Sequence, residues 1–306
     1  MCARLEPTRS RLSKRVGVLS LLLLAVACNP KTDDVVLVGS TFACLFDVRL
    51  DCQVVDRNDA QGWDPTTTPA ERFEQVAGGH DHLCGVTEDG DPICWGWNAG
   101  GQTDIPADLT VASFALSYEN TCALDPVGRL TCWGNEWTGV NDAPEGPFDK
   151  VAIAERVGCG WSAETGWTCW GDWLSLEETE DGDVFEWNIP ADKPESLLAF
   201  GLNICMLDAA GRITCWGYAN YGLTNPPDGE GWHDLTGGTR HACAFDADDQ
   251  VMCWGSDITS SWRQFPEGDW AAFTAGPRAD CGIRADGEVD CWGCIRVDPL
   301  TCDWDD

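Results

Sequence analysis

The tripeptide Cys-Trp-Gly occurs six times in this chain of 306 residues, and each copy has a second cysteine ten residues upstream of its own cysteine. The motif cysteines are Cys94, Cys132, Cys169, Cys215, Cys253 and Cys291. The upstream cysteines are Cys84, Cys122, Cys159, Cys205, Cys243 and Cys281. Because one unit has been repeated along the chain, the period of the repeat constrains the fold more than any single residue does.

The upstream cysteines are spaced 38, 37, 46, 38 and 38 residues apart, so the third interval carries an insertion of about eight residues. A degraded seventh copy comes first, since the segment 36–44 aligns without gaps to 76–84 and Cys52 follows Cys44 after eight residues. Seven units thus fill residues 36–306. We expect them to start near residues 36, 76, 114, 151, 197, 235 and 273.

The residues between the paired cysteines predict a β-hairpin. Short alternating runs flank a turn such as Glu88-Asp89-Gly90, which suits a three-residue loop with glycine in the left-handed region. In the unit with Ala163-Glu164-Thr165, we expect the turn to shift so that it uses Gly166. A period near 38 residues with this hairpin pattern indicates an all-β propeller with blades of three or four short strands.

The same turn predicts where the cysteines lie. A three-residue loop centred on Asp89 pairs residue 87 with 91 and Cys84 with Cys94, at a non-hydrogen-bonded position with Cα atoms about 4.5 Å apart. A disulfide accepts about 4.4–6.8 Å, and closing so short a loop stabilises by about 2.5–3 kcal/mol. The predicted pairs are Cys44–Cys52, Cys84–Cys94, Cys122–Cys132, Cys159–Cys169, Cys205–Cys215, Cys243–Cys253 and Cys281–Cys291. The shorter spacing of the first pair breaks the parity of the other six.

The segment 1–27 has the pattern of an export signal, with five basic residues before an apolar run over 16–27. The sequence Leu24-Ala25-Val26-Ala27-Cys28 is similar to a bacterial lipobox, which predicts lipidation of Cys28 and a short tether over 28–35. Ala25-Val26-Ala27 also satisfies ordinary signal cleavage, in which case the protein is secreted. A third reading is a short uncleaved membrane anchor, for which the apolar run is too short to span well.

Cysteine count and charge narrow the class of protein. After removal of Cys2 and lipidation of Cys28, sixteen of the eighteen cysteines remain, an even number that favours an oxidised, exported protein. The last two, Cys294 and Cys302, are expected to bond to each other or to the closing blade. No paired Cys-x-x-Cys motif predicts a metal, and no cofactor is expected. The formal net charge of −32 without a basic cluster argues against nucleic acid as a partner.

The segment 78–102, Gly-Gly-His-Asp-His-Leu-Cys-Gly-Val-x-x-Asp-Gly-x-x-x-Cys-Trp-Gly-Trp-Asn-x-Gly-Gly-Gln, resembles a repeat of the regulator of chromosome condensation family, in its bacterial, cysteine-bearing branch. The chain is also similar to secreted propellers that inhibit β-lactamase. The resemblance implies a seven-bladed β-propeller over 36–306. The nucleotide-exchange activity of the chromatin-bound members is not carried over, because this chain is acidic, rich in cysteine and expected to be exported.

Two sets of repeated side chains are expected to be structural. The six motif tryptophans should point to the opposite face of the strand from the cysteines and pack between blades. His82 and His241, with Asn120 and Asn203 at the equivalent positions, should be buried and bond to backbone.

The segments that follow each Cys-Trp-Gly differ most between units and carry aromatic residues, which are frequent binding anchors in loops. The candidate partner-binding residues are Trp97, Trp137, Trp173, Tyr218, Tyr221 and Trp187. The insertion within 174–192 is rich in acidic residues and is expected to protrude as a loop. The catalytic templates for hydrolases, phosphate-binding loops and metalloproteases are missing from the sequence.

The leading hypothesis is a non-enzymatic, monomeric exported lipoprotein of the bacterial cell envelope, in the outer membrane or at the cell surface. It would use a propeller face to bind a protein, with inhibition of an exported enzyme as one form of that function, and would contact the membrane through the lipid anchor alone. The alternatives are a carbohydrate-binding propeller and an enzyme with its active site at the central channel. One continuous aromatic patch favours a protein partner, separate tryptophan platforms favour a sugar, and converging acids or histidines favour an enzyme.

Overall fold

The computed structural model describes residues 35–39, 42–46, 50–54, 68–174, 182, 184–255, 268–277, 279–285 and 289–293. The expected signal segment 1–27, Cys28, nearly all of the tether 28–35, and the pair Cys294 and Cys302 therefore lie outside the described residues.

The described residues form seven antiparallel sheets, each built from one repeat unit. Six are three-stranded and one is four-stranded. The strands, blade by blade, are β1 Val35–Val38, β2 Phe42–Phe46, β3 Leu50–Val54; β4 Phe73–Gly78, β5 His82–Thr87, β6 Pro92–Gly96; β7 Ser113–Leu116, β8 Asn120–Leu124, β9 Leu130–Gly134; β10 Lys150–Ile153, β11 Gly158–Ser162, β12 Gly166–Trp170; β13 Phe185–Glu186, β14 Ser196–Phe200, β15 Asn203–Leu207, β16 Ile213–Tyr218; β17 His233–Gly237, β18 His241–Phe245, β19 Val251–Gly255; β20 Trp270–Ala275, β21 Ala279–Arg284, β22 Val289–Gly293. We number the sheets as blades 1 to 7 in this order.

The seven blades close into a ring. The innermost strands β1, β4, β7, β10, β14, β17 and β20 contact one another in that order, and β1 of the first blade packs against β20 and β21 of the last. The predicted all-β, seven-bladed propeller is confirmed. Because the ring is closed, the innermost strand of every blade is flanked by the innermost strands of its two neighbours, and these strands surround a narrow central channel.

The hairpins form because of their turn residues. Gly90, Gly128 and Gly211 have φ of 88°, 85° and 76°, and Asp249 takes the same region at 59° in blade 6. In blade 4 the left-handed residue is Gly166, as the sequence predicts. Aspartates just before three of these turns accept hydrogen bonds from two backbone N–H groups each, which stabilises the turn locally. They are Asp125, Asp208 and Asp246.

The expected single disulfide per blade is present in six blades. In each, the two cysteines face each other across the second and third strands, with Cα atoms 4.0–4.1 Å apart, slightly closer than the expected distance. The six bonds are Cys84–Cys94, Cys122–Cys132, Cys159–Cys169, Cys205–Cys215, Cys243–Cys253 and Cys281–Cys291. In blade 1 the strand register places Cys44 opposite Cys52, and Cys44 is disulfide-bonded.

The hydrophobic core lies between blades rather than within them. The disulfide of one blade shares a buried cluster with the motif tryptophan of the following blade, as the opposite orientations of neighbouring strand residues require. The pairs, from the first seam onward, are Cys44 with Trp95, Cys84 with Trp133, Cys122 with Trp170, Cys159 with Trp216, and Cys205 with Trp254. The predicted structural role of these tryptophans is therefore a seam between blades.

Three of these indoles also donate a hydrogen bond to the preceding blade. Each acceptor is a backbone carbonyl seven residues beyond the preceding motif tryptophan. The bonds are Trp133 Nε1 to Gln102 O at 2.9 Å, Trp170 Nε1 to Val140 O at 2.8 Å, and Trp254 Nε1 to Leu223 O at 3.2 Å. Because each buried indole N–H is hydrogen-bonded to a carbonyl of the preceding blade, the bond fixes the distance between the two sheets.

Buried histidine or asparagine side chains occupy equivalent positions in four blades, and the two histidines join one blade to the next. His82 Nε2 lies 2.9 Å from Thr121 Oγ1, and His241 Nε2 lies 3.1 Å from Asp280 Oδ1. All four side chains are almost completely buried. Asn120 Nδ2 donates to the backbone oxygen of Asn135, and Asn203 Nδ2 to that of Tyr218. All four histidine and asparagine positions are buried as predicted, and the asparagines bond to backbone. The two histidines instead bond to side chains of the next blade, so that part of the prediction was wrong for them.

The insertion differs from the expected protruding loop. Its residues Phe185 and Glu186 form β13, which pairs with β16 and adds a fourth, outer strand to blade 5. Phe185 is only 5% exposed. Because an apolar ring within the acidic insertion can be buried against the sheet edge, this part of it docks instead of projecting into solvent. Residues 175–181 of the insertion lie outside the described residues.

Among the described residues, none of the helices has the length and apolar character that a membrane crossing needs.

Candidate functional site

Two sets of loops emerge on the same face of the propeller, because the first and third strands of a blade run in the same direction. One set follows the first strand, and the other follows Cys-Trp-Gly. They are hydrogen-bonded to each other: Trp97 N donates to Asp81 O at 2.8 Å, and Asn135 N donates to Glu119 O at 3.0 Å. We call this face the loop face, and the opposite one, which carries the hairpin turns, the turn face. The predicted aromatic segments therefore share a face with the channel mouth.

The glycine of Cys-Trp-Gly makes this contact between loops possible. In five blades it has φ between 112° and 120°, and a Cβ atom there would lie closer than 3.0 Å to the backbone oxygen of the loop after the first strand. The glycine and carbonyl pairs are Gly96 with Asp81, Gly134 with Glu119, Gly171 with Arg156, Gly217 with Leu202, and Gly255 with Arg240. Only a residue without a side chain fits between the two loops.

Four of the six predicted aromatic residues belong to one group on blades 4 and 5. The buried ring of Phe185 lies at its centre, 5.4 Å from Trp173, 5.9 Å from Trp187 and 5.6 Å from Tyr218 between ring centroids. Tyr221 extends the group at 6.3 Å from Tyr218 and is 61% exposed. We call these five residues the aromatic cluster. The insertion creates it, because β13 brings Phe185 to the loops of two blades.

The other two predicted residues lie elsewhere on the loop face. Trp137 is the middle residue of a 3-10 helix, Glu136–Thr138, and its own backbone N–H donates to the side chain of the capping residue Asn135. Its side chain is 84% exposed, the highest value among the large apolar residues described. Trp97 packs edge-on against Tyr118 with ring centroids 5.8 Å apart. Five of the six predicted residues lie outside the strands, whereas Tyr218 is the last residue of β16. The sequence did not show which of the six meet.

The channel opens on the loop face into a cavity of about 80 Å³. Its polar lining includes His80, Ser117, Tyr118, Glu155 and Thr239. One repeat position, four residues before the first cysteine of each unit, supplies a lining residue from six consecutive blades: His80, Tyr118, Glu155, Gly201, Thr239 and Pro277. This position was not singled out from the sequence, although its variation between otherwise similar units was a visible signal.

Glu155 is the ionisable group most affected by this environment. Burial raises the pKa of its carboxyl, and the neighbouring charge of Glu119 acts in the same direction, while His80 and Arg156 oppose it. The Glu155 side chain has no hydrogen bond or ion pair within the part of the chain that the structure describes. The guanidinium of Arg156 lies instead over the Trp173 ring, 5.0 Å from its centroid.

A histidine and an aspartate also meet at the mouth. His80 Nδ1 lies 2.7 Å from Asp81 Oδ2, and the His80 ring is 4.2 Å from that of Tyr118. Acids and a histidine therefore converge where the enzyme hypothesis requires them. Within the described ranges, however, no three His, Cys, Asp or Glu side chains are placed to hold a metal ion.

Comparison with known proteins agrees with this architecture. Residues 73–102, which form blade 2 and the segment after it, match the Regulator of chromosome condensation (RCC1) repeat. The CRINKLY WD40 ectodomain of the Arabidopsis thaliana receptor kinase ACR4 is similar, with a TM-score of 0.64 at 22% identity over 89% of this chain and 96% of that one.

Two further solved structures are similar at the level of the fold. The ectodomain of the Physcomitrella patens receptor kinase CR4 has a TM-score of 0.65 at 22% identity, over 84% of this chain and 72% of that one. Prp20p from Saccharomyces cerevisiae has a TM-score of 0.63 at 13% identity, over 85% of this chain and 82% of that one. The chain thus contains an RCC1-type repeat within a propeller that shares the fold of Prp20p.

Proposed function

We propose that this protein is a non-enzymatic binding module that holds a protein partner on its loop face. The observation that carries the proposal is that the aromatic cluster and a largely exposed Trp137 lie on the same face as the channel mouth. Large aromatic side chains are the commonest anchors of protein interfaces, since they bury much area at a low cost in conformational entropy.

A protein partner fits this arrangement better than a sugar. Stacking on a sugar requires a free indole face, but Trp187 stacks on Phe185 at an interplanar angle of 8°, and the Trp173 ring is covered by Arg156. Four of the predicted residues thus form a joined patch rather than separate platforms. Prp20p, which shares the fold, is described as binding Gsp1p and histones, and this precedent supports a protein ligand for a propeller face.

The enzyme hypothesis is supported by the convergence of His80, Asp81 and Glu155 at the mouth. The size of the cavity weighs against it. About 80 Å³ is far smaller than the roughly 300–1,000 Å³ of most small-molecule sites. We therefore retain binding as the function of the mouth as well as of the rim.

We also propose that the protein works outside the cytoplasm as a lipoprotein anchored through Cys28, and that its partner is an exported enzyme inhibited by the interaction. The basic and apolar leader followed by Cys28 supports export, and six hairpin disulfides favour an oxidising compartment. Replacing Cys28 with alanine should abolish labelling by a fatty-acid analogue and release the protein from the membrane fraction. Retention of the label would contradict the proposal.

The binding face is tested by capture of partners from the native cell envelope with the purified full chain. Trp137→Ala and Tyr221→Ala should each reduce retention of the captured partner at least about tenfold, the usual effect of a hot-spot residue. Val127→Ala is the matched control, because Val127 is 66% exposed but lies in a hairpin turn on the turn face. If both loop-face variants retain the partner as well as the control does, the loop face is not the interface.

A further inference from the structure

We propose that the channel mouth is a subsite for one basic side chain, a lysine or an arginine of the partner, with Glu155 as its counter-charge and Tyr118 as its aromatic wall. This inference rests on the proposed protein-binding function of the loop face. It adds the chemistry of the partner residue that occupies the centre of that face.

The carboxylate of Glu155 has no partner among the described residues. Glu155 is half-buried in the cavity wall, and it has no hydrogen bond or ion pair to any residue that the structure describes. A carboxylate held in a partly dry site without a partner costs free energy of folding, which is typical of a group kept for a ligand. The raised pKa of Glu155 has this physical origin.

The cation on the neighbouring residue, Arg156, already contacts an aromatic ring. Arg156 follows Glu155 in the chain, but its guanidinium lies over the Trp173 ring. His80 and Arg156 only partly offset the burial of the carboxyl, whose pKa stays raised, so a cation from a partner would supply the missing contact. A cation there would also contact the Tyr118 side of the mouth, where aromatic rings favour positive charge.

The size of the cavity and the charge around it favour one basic side chain as the ligand. A cavity of about 80 Å³ has room for the end of one side chain, since a cavity of roughly 150 Å³ is enough to hold benzene. Glu155 lies in the lining, the charge of Glu119 is close enough to raise the pKa of Glu155, and the whole chain carries a formal net charge of −32. An anionic ligand would be repelled, whereas a basic side chain would be attracted at long range.

Backbone hydrogen bonds between blades hold the loops that line the mouth. The loops that hold His80, Tyr118 and Glu155 are joined across blades by backbone hydrogen bonds, from His80 N to Ser117 O at 3.3 Å and from Glu155 N to Gly201 O at 3.0 Å. The scaffold is therefore a repeated framework, and the side chain four residues before each first cysteine is a lining position that differs in every described full unit. Such a position sets specificity without altering the fold.

The test is an NMR titration of the disulfide-intact protein, with indole resonances as reporters. The probes are the acetyl, N-methylamide derivatives of lysine, arginine and norleucine, together with putrescine as a free amine. We expect lysine or arginine to shift the Trp97 indole signal and norleucine to leave it unchanged. Glu155→Gln should weaken this binding at least about tenfold, the loss expected for a charge-assisted contact.

Two measurements keep the inference separable from a structural role of Glu155. Glu164→Gln, an exposed turn-face residue of the same blade with the same change in charge, should bind the probes as wild type does. Glu155→Gln should also raise the urea midpoint at neutral pH. A carboxyl whose pKa is raised on folding opposes folding once ionised, so its removal stabilises the fold above that pKa.

Equal binding by wild type and Glu155→Gln, an equal response to norleucine, or a response to putrescine alone would each overturn the inference. A lowered urea midpoint for Glu155→Gln would also overturn it, because the carboxylate would then be stabilising the fold. None of these results bears on the capture experiment with the variants Trp137→Ala and Tyr221→Ala. The basic-side-chain subsite can thus fail while the binding face stands, and loss of the binding face would be seen in the capture experiment alone.

Discussion

At the scale of single residues, the chain separates side chains that join blades from side chains that line the channel mouth. His82 belongs to the first kind: it is completely buried and bonds Thr121 of the next blade. Glu155 belongs to the second, and nothing in the described structure pairs with it. Both are ionisable groups in a partly dry environment. Burial lowers the pKa of His82 and raises that of Glu155, and each shift favours the neutral form.

The buried His82 makes stability depend on pH. Burial lowers the pKa of His82 from 6.5 to about 3, against the raising effect of Asp81. Between these two values the unfolded chain binds the proton and the folded one does not, so stability is full above pH 6.5 and falls as the pH decreases toward 3. The contribution is on the order of 1 kcal/mol per pH unit.

We expect His82→Asn, which places the residue of Asn120 at the equivalent position, to flatten the pH dependence of urea unfolding between pH 6.5 and 4.5. Thr121→Val is the control, because it removes the hydrogen bond to His82 but no titrating group, and should lower the midpoint equally at each pH. Parallel pH profiles for wild type and His82→Asn would contradict the burial of a neutral histidine.

At the scale of elements, the repeated motif is a junction of three parts. The cysteine closes the hairpin of its own blade, the tryptophan packs on the disulfide of the preceding blade, and the glycine lets the third strand pass under the loop after the first strand. These roles explain why the three residues occur together. The residues after the glycine are free to differ, because they lie beyond the junction.

Gly134 tests the junction. Gly134→Ala faces both a positive φ of 116° and overlap with the backbone oxygen of Glu119. Gly166→Ala in blade 4 faces only the positive φ of 77°, since nothing lies near its added methyl group. We expect a loss of about 1–2 kcal/mol for Gly166→Ala and a clearly larger loss, about 3 kcal/mol or more, for Gly134→Ala.

The measurement is the free energy of unfolding from urea titrations of both glycine variants under oxidising conditions. An equal loss for the two substitutions would mean that the strand and the inner loop are not in close contact at Gly134.

At the scale of the whole molecule, stability depends on closure of the ring. Among the described residues, six of the seven core clusters join two neighbouring blades, and β1 of the first blade packs on β20 and β21 of the last. A chain ending at residue 255 lacks blade 7 and exposes the seams on both sides of the gap. We expect this truncation to abolish the cooperative unfolding transition, whereas an open repeat array would lose only one repeat's increment.

The control for the truncation is the full chain cleaved at the exposed Val127 turn, because Cys122–Cys132 keeps the two fragments joined and all seven blades remain. This form should keep a cooperative transition by circular dichroism. A truncated chain with the midpoint of the full chain would show that closure contributes little.

The sequence by itself determined the number of blades, the hairpin in each and the disulfide that closes it. The number of blades follows from how often the unit is repeated. The hairpin and its disulfide depend on residues at most ten positions apart, because Gly90 or its equivalent fixes the register and the register places Cys84 opposite Cys94. The seam role of Trp133 followed in the same way from the alternation of strand side chains.

Only the tertiary structure decided what the loop face presents. Phe185 joins aromatic residues from different blades because β13 pairs with β16, a contact between residues more than thirty positions apart that no local rule specifies. Likewise, His80, Tyr118 and Glu155 meet only because the ring brings the same repeat position of successive blades to one channel mouth. Periodicity sets what each blade is, whereas closure of the ring decides which of the varying side chains become neighbours.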